Sequence, residues 1–76
     1  MNKDRREKIK IISQKLLEIK KELDSVQRDE EFAFDSMPEG LQSSDRGVES
    51  EDAIDAMDNA LSNIDDAIDH LQDVLL

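Results

Sequence analysis

The apolar residues of the C-terminal third follow a helical spacing without a break. They alternate by three and four positions, as Ile54, Met57, Leu61, Ile64, Ile68, Leu71 and Leu75. This spacing places all of them on one face of an α-helix. Four further apolar residues widen the face, since each precedes one of these: Ala53, Ala60, Ala67 and Val74. The arc predicts a helix over residues 50–75 that packs against more than one neighbour.

The N-terminal half predicts a second long helix, over residues 3–36. Its apolar stripe consists of Ile9, Ile12, Leu16, Ile19, Leu23, Val26 and Ala33. Glu30 occupies the one stripe position that breaks the pattern. Ile11 and Leu17 lie on opposite flanks of the stripe, so this helix also presents more apolar surface than a two-helix contact needs.

The connection between the helices is predicted to be a loop over residues 37–49. Pro38 ends the first helix, because a proline disfavours helical geometry in the residue before it and lacks an N–H group. A short helical turn is expected at its start, and Ser50 is the expected N-cap of the second helix. Leu41 and Val48 are expected to fold back and cover the open end of the core.

Two long helices joined by such a loop predict an all-α protein, a single antiparallel helical hairpin domain over residues 1–76. Pairing the stripes sets Ile19 against Ile68 and Val26 against Leu61, with Lys20 near Asp65 and Arg28 near Asp58. The wide apolar arcs further predict that two hairpins dimerise into a four-helix bundle. The expected interface residues are Ile11, Leu17, Ala53, Ala60, Ala67 and Val74.

The charge of the chain is uneven and strongly acidic. Its 76 residues carry a formal net charge of -10, and residues 36–76 hold one Arg against eleven acids. Direct binding to nucleic acid is not expected, because it requires Lys and Arg to neutralise phosphates. The chain has no Cys, no apolar run long enough to span a bilayer and no signal-peptide core. We therefore expect a cytoplasmic protein without a membrane partner.

Residues that could carry chemistry are few. His70 is the only histidine, and the sequence contains no Gly-rich phosphate loop, no HExxH and no GxSxG. The acid pairs Asp52/Asp55 and Asp66/Asp69 resemble the paired acidic motifs of all-helical nucleotide pyrophosphohydrolases, which implies a metal-dependent nucleotide hydrolase as one alternative. Those enzymes direct acids from two helices into one cavity, whereas these acids share the outer side of one helix. We predict no catalytic, cofactor or metal site.

The connection carries the most distinctive stretch, a P-E-x-L-Q-x-S-[DE]-R-G pattern at residues 38–47 that is followed by a helix with a repeated Asp-Ala-Ile-Asp. From Phe32 to Leu71 the chain resembles small helical-hairpin proteins of Gram-positive bacteria and of their phages and mobile elements. The resemblance implies an intracellular, phage-linked setting. It marks the connection either as a binding epitope, with Glu39, Gln42, Asp45 and Arg46 as candidates, or as a segment that only caps the helices.

Two functions are predicted for such a chain. The first is a non-enzymatic protein-protein interaction module, a homodimer or higher oligomer whose acidic face and connection bind another protein. The alternative is a mimic of nucleic acid that inhibits a basic nucleic-acid-binding protein, such as a host-defence protein. For both predicted functions, the partner-binding candidates on the second helix are Asp55, Asp58, Asp65, Asp66 and Asp69.

Overall fold

The computed structural model describes residues 1–76 and contains three helices: α1 (Lys3–Asp35), α2 (Glu39–Gln42) and α3 (Asp45–Leu75). The prediction of an all-α protein is confirmed. Helices α1 and α3 lie side by side and run in opposite directions. Near one end the Arg6 guanidinium donates to the Leu75 carbonyl oxygen, and near the other the Ser50 hydroxyl donates to the Glu30 carboxylate. The result is a rod of 58 × 14 × 14 Å.

Helix α1 is stabilised along its own length by contacts that its sequence specifies. The Asn2 side chain caps its start by accepting a hydrogen bond from the Arg5 backbone N–H at 2.9 Å. The expected ion pairs four residues apart join Lys8 to Asp4 at 3.1 Å and Arg28 to Asp24 at 3.0 Å. Arg28 therefore binds within its own helix, and it is the adjacent Gln27 that donates to Asp58.

The basic start of α1 is placed against the end of α3. The Arg6 guanidinium donates to the Leu75 carbonyl oxygen at 2.6 Å. The last carbonyl groups of a helix have no partner within it and carry partial negative charge. A cation that is unfavourable at the start of its own helix is thus favourable at the end of the neighbouring one.

The side of α1 that faces α3 alternates apolar and polar side chains. Its buried and half-buried positions include Ile9, Ser13, Leu16, Lys20, Leu23, Gln27, Glu30 and Phe34, and Arg6 and Asp24 are also half-buried. Gln27 is only 6% exposed, and its amide donates to the Ile54 carbonyl oxygen at 3.1 Å and to Asp58 at 3.4 Å. Lys20 forms an ion pair with Asp65, as predicted.

This orientation corrects part of the predicted register. Ile19 and Val26 were expected to oppose Ile68 and Leu61, but they are 49% and 55% exposed. Helix α1 is turned so that the polar residues one position further on, including Lys20 and Gln27, reach hydrogen-bond partners on α3. Ile19 and Val26 consequently lie to the side of the contact.

The connection is shorter than predicted, because α3 begins at Asp45 instead of residue 50. The N-cap is Ser44, whose side chain accepts from the Gly47 backbone N–H. Ser50 lies inside the helix, is 5% exposed and donates to Glu30 at 2.7 Å. The predicted loop over residues 37–49 is therefore wrong in its second half. Gly47, which reads as a turn residue in the sequence, lies within the first turn of α3, against the backbone of Gln42.

The remaining part of the connection caps α1 by polar contacts. The predicted short helical turn is confirmed as α2. Leu41 and Val48 do not cover the core as expected, since they are 54% and 47% exposed. Instead the Gln42 amide donates to the carbonyl oxygens of Phe34 at 3.2 Å and Met37 at 3.3 Å. The Phe34 carbonyl oxygen, which also accepts from the Met37 backbone N–H at 3.0 Å, and the Met37 carbonyl oxygen are thus both bonded just after α1 ends.

Little of the chain is buried. Leu61 is the only buried hydrophobic residue, and four of the 76 residues are buried in all. The radius of gyration is 17.3 Å, whereas a compact chain of this length has a value of about 11 Å. The two long helices therefore form a single layer with most of their apolar side chains still accessible.

Candidate functional site

One side of the α1–α3 pair presents apolar side chains from both helices. The residues are Ile12, Ile19, Val26 and Ala33 of α1 and Ala53, Ala60, Ala67 and Val74 of α3, which we call the apolar face. Within each helix they repeat every seven residues, so they form one column per helix. A shallow groove lined by Val26 and Ala33 together with Ala53 shows that the two columns lie on the same side of the rod.

The apolar face includes only part of the predicted dimer interface. It contains Ala53, Ala60, Ala67 and Val74, as expected. Leu17 lies on the opposite side of the rod, in a groove with Ile68 and Gln72. Ile11 is 50% exposed, and its neighbours one turn away, Lys8 and Lys15 among them, are polar, which places it on the side of α1 that faces away from α3. The structure thus does not bring Ile11 or Leu17 together with the alanine column.

Ile12, Ile19 and Val26 are exposed on the apolar face, although they were predicted to contact α3. The spacing of polar residues did not identify the correct orientation either. Ser13, Lys20 and Gln27 each follow one of these residues and also repeat every seven positions. The exposed row Lys8, Lys15, Glu22 and Asp29 has the same seven-residue repeat, so this spacing does not distinguish the row that faces α3.

The opposite side of α3 carries its acidic residues. Asp55, Asp58, Asp65, Asp66 and Asp69 are all exposed. Two of them make contacts with α1, since Asp65 pairs with Lys20 and Asp58 accepts from Gln27. Asp55 lines a groove with three further carboxylates, those of Glu31, Asp35 and Glu51. These five residues share one side of α3, which we call the acidic side, and no acid lies between Asp58 and Asp65.

The candidate residues of the connection do not share one role. Gln42 is half buried and its amide is bonded to the end of α1, so it has a structural function in the fold. Glu39, Asp45 and Arg46 are exposed. Arg46 lies in the groove of the apolar face with Glu30 and Glu49, whereas Glu39 lines a different groove beside Phe34. The connection thus presents separate side chains to two sides of the rod.

The arrangement of titratable groups bears on the alternative of a metal-dependent hydrolase. No group of three or more His, Asp or Glu side chains is placed so that it could hold a metal ion. The pairs Asp52/Asp55 and Asp66/Asp69 share the outer side of α3, and His70 is exposed. None of these residues is brought to the inward contact between the helices.

Comparisons with known proteins add no assignment. No family model matches the chain, and neither the curated proteins nor the solved structures include a match. None of the helices combines the length and apolar character needed to cross a membrane. The apolar face and the acidic side are therefore the two features from which a function can be argued.

Proposed function

We propose that this chain is a non-enzymatic protein-protein interaction module. In this proposal the α1–α3 pair is a helical hairpin, and two copies associate through the apolar face into a four-helix bundle that leaves the acidic sides outward for a basic partner protein. The observation that carries the proposal is the apolar face itself, where Ile12, Ile19 and Val26 are 48%, 49% and 55% exposed.

The amount of exposed surface supports association between two copies. The chain exposes 5812 Å², whereas a compact monomer of 8.7 kDa is expected to expose about 4,700 Å². The excess of roughly 1,100 Å² exceeds the ~800 Å² that each partner buries in a standard interface. Covering one face of the rod would remove an excess of this size.

The setting that the sequence resemblance implies is compatible with this role. Small hairpin proteins of Gram-positive bacteria and their phages provide an intracellular context in which an acidic bundle could bind a basic protein. The connection at residues 38–47, which carries the resemblance, has a structural task through Gln42 and Ser44 and exposed side chains at Glu39 and Arg46. We include those exposed side chains in the surface offered to the partner.

Sedimentation equilibrium of the purified chain tests the self-association. We expect twice the 8.7 kDa monomer mass at low micromolar concentration and physiological salt, with helical circular dichroism throughout. Dilution should lower both the mass and the thermal midpoint, because the dimer is the better packed species. A chain that stays helical, cooperative in unfolding and monomeric at high micromolar concentration would contradict the proposal.

The second candidate, a mimic of nucleic acid, is favoured by the charge density of the acidic side. Eight carboxylates between Glu51 and Asp73 occupy a length of about 33 Å at the helical rise, or about one per 4 Å. A DNA strand carries one phosphate per about 3.4 Å. A basic protein that binds DNA without sequence preference would therefore meet a similar row of charges.

Competition with labelled duplex DNA for a sequence-nonspecific basic DNA-binding protein tests the mimicry. We expect displacement of the DNA that weakens steeply with salt, since counterion release drives such contacts. Exchanging Asp55, Asp58, Asp65, Asp66 and Asp69 for Asn should abolish it. The control exchanges Asp4, Glu7, Glu18 and Asp24 of α1, none of which lines the groove with Asp55, for their amides. Equal loss in both variants, or no displacement by the unmodified chain, would exclude mimicry by the acidic side.

A further inference from the structure

From Ala53 onward, the apolar face continues on α3 into a strip without any acidic residue; Glu49, which shares the column of Ala56, lies before it. The strip consists of the alanine column and of Ala56, Asn63 and His70, which repeat every seven positions beside it. All eight acids from residue 51 onward fall at the other helical positions. A helix this acidic can lie next to another copy of itself only along such a strip, because like charges in contact repel.

On α1 the column beside the apolar face changes sign along the helix. Lys8 and Lys15 lie towards the start, and Glu22 and Asp29 lie towards the end. If two copies of α1 pack in opposite directions about Ile19, then Lys15 comes beside Glu22 of the second copy and Lys8 comes beside its Asp29. The same pairing sets Ile12 against Val26 of the second copy. The α1 column is therefore complementary to itself in apolar contacts and in charge.

The two columns share one centre along the rod. The three large side chains of the α1 column, Ile12, Ile19 and Val26, are centred on Ile19, and the column from Ala53 to Val74 is centred between Asn63 and Ile64. The ion pair between Lys20 and Asp65 places these two centres at nearly the same height. One two-fold axis, perpendicular to the helices, can therefore pass through both. This axis places Ala53 beside Val74 of the second copy and Ala60 beside its Ala67. The same axis places the two α1 columns side by side.

We infer that the apolar face is covered by a second copy of this chain in this one arrangement, with α1 antiparallel to α1 and α3 antiparallel to α3 across the two-fold axis. The inference rests on the proposed self-association and specifies its geometry. The small side chains of the alanine column let the two α3 helices approach closely, while the larger Ile and Val side chains fill the space between the two α1 helices. Arg5, which shares the column of Ile12, comes level with Ala33 of the second copy, beside the groove that contains Glu30 and Glu49.

The other face-to-face arrangement has its two-fold axis along the rod, and it places α1 of one copy over α3 of the other. Lys15 would then face the uncharged strip at Asn63 and His70, where it finds no carboxylate. In that arrangement α1 would not repel acids on the strip, because it carries equal numbers of basic and acidic residues. A contact with α1 therefore gives no reason for the strip to lack acids. Charge complementarity thus favours the arrangement with like helices paired.

Single-cysteine cross-linking distinguishes the two arrangements, since the natural chain contains no Cys. Ile19→Cys lies on the proposed axis and faces itself, so mild oxidation should give a covalent dimer in high yield. Ile11→Cys is the matched control, because Ile11 has almost the same exposure but lies on the outer side of α1. In the other arrangement, a mixture of Ile19→Cys and Ala67→Cys chains would form the covalent heterodimer instead.

A charge exchange in the α1 column gives an independent readout. Lys15→Glu or Glu22→Lys alone converts two attractive contacts per dimer into repulsive ones and should weaken association by roughly tenfold. The double variant should restore most of the affinity, whereas Lys21→Glu, the same change on the far side of α1, should have little effect. If the natural chain is monomeric, the proposed self-association is wrong. A dimer that lacks both the Ile19→Cys product and the charge rescue would overturn the arrangement alone.

Discussion

Replacing Gly47 with alanine is expected to destabilise the fold, whereas the same change at Gly40 is not. A Cβ at this position would lie 2.7 Å from the Gln42 Cα and closer still to the Gln42 carbonyl group. The atoms in the way belong to the backbone, so α2 must move away from the start of α3. Overpacking of this kind costs about 1–3 kcal/mol, and the displaced Gln42 amide would also lose its bonds to Phe34 and Met37.

Urea unfolding followed by circular dichroism measures the effect, with all variants at one protein concentration because unfolding and association are coupled. We expect a net loss of about 2 kcal/mol after the better helix propensity of alanine is included. Gly40→Ala is the matched control, because nothing lies within 4 Å of a Cβ there, and it should be neutral or slightly stabilising. Equal stability of both variants would show that the close approach of α2 to α3 is not present in solution.

Ile19→Glu is expected to convert the proposed dimer to a monomer. The side chain is 49% exposed in the single chain, but it would be enclosed in the proposed interface, where each copy would contribute one carboxylate. Burying charges without partners costs several kcal/mol, so we expect association to weaken by at least about 100-fold, or roughly 3 kcal/mol. Sedimentation equilibrium over a range of concentrations measures this change.

Ile11→Glu provides a control of the same chemistry, because Ile11 is 50% exposed and lies on the side of α1 away from α3. It should remain as dimeric as the natural chain, and the Glu substitution should not reduce helix propensity in either variant. If Ile11→Glu is monomeric and Ile19→Glu remains dimeric, the interface lies on the outer side of α1. That result would agree with the prediction that Ile11 is an interface residue.

Several features were predictable from the sequence because they depend on contacts within one turn. The two long helices follow from apolar spacing, and the pairs Asp4/Lys8 and Asp24/Arg28 follow from their separation. The start of α3 was misplaced at Ser50, because Ser44 and Ser50 are both suitable N-caps. The choice between them depends on Gly47, which lets the first turn of α3 pass close to Gln42.

The orientation of α1 was not predictable from its strongest apolar stripe. Ile12, Ile19 and Val26 satisfy the same heptad spacing as the residues that face α3, so spacing alone assigns them all to one contact. Only the packed structure shows that Gln27 reaches the Ile54 carbonyl oxygen and that Ser50 reaches Glu30. A buried polar group without a partner is costly, so these bonds decide which side of α1 turns inward.

The sequence by itself determined that the chain is all-helical, that its second half is acidic and that its apolar surface is wider than one helix contact can cover, because these properties are sums over residues or follow from the helical period. The tertiary structure alone decided which apolar residues remain exposed and that those of α1 and α3 lie on the same side of the rod. That outcome depends on hydrogen bonds between residues more than twenty positions apart, such as Gln27 with Ile54, which no local pattern records.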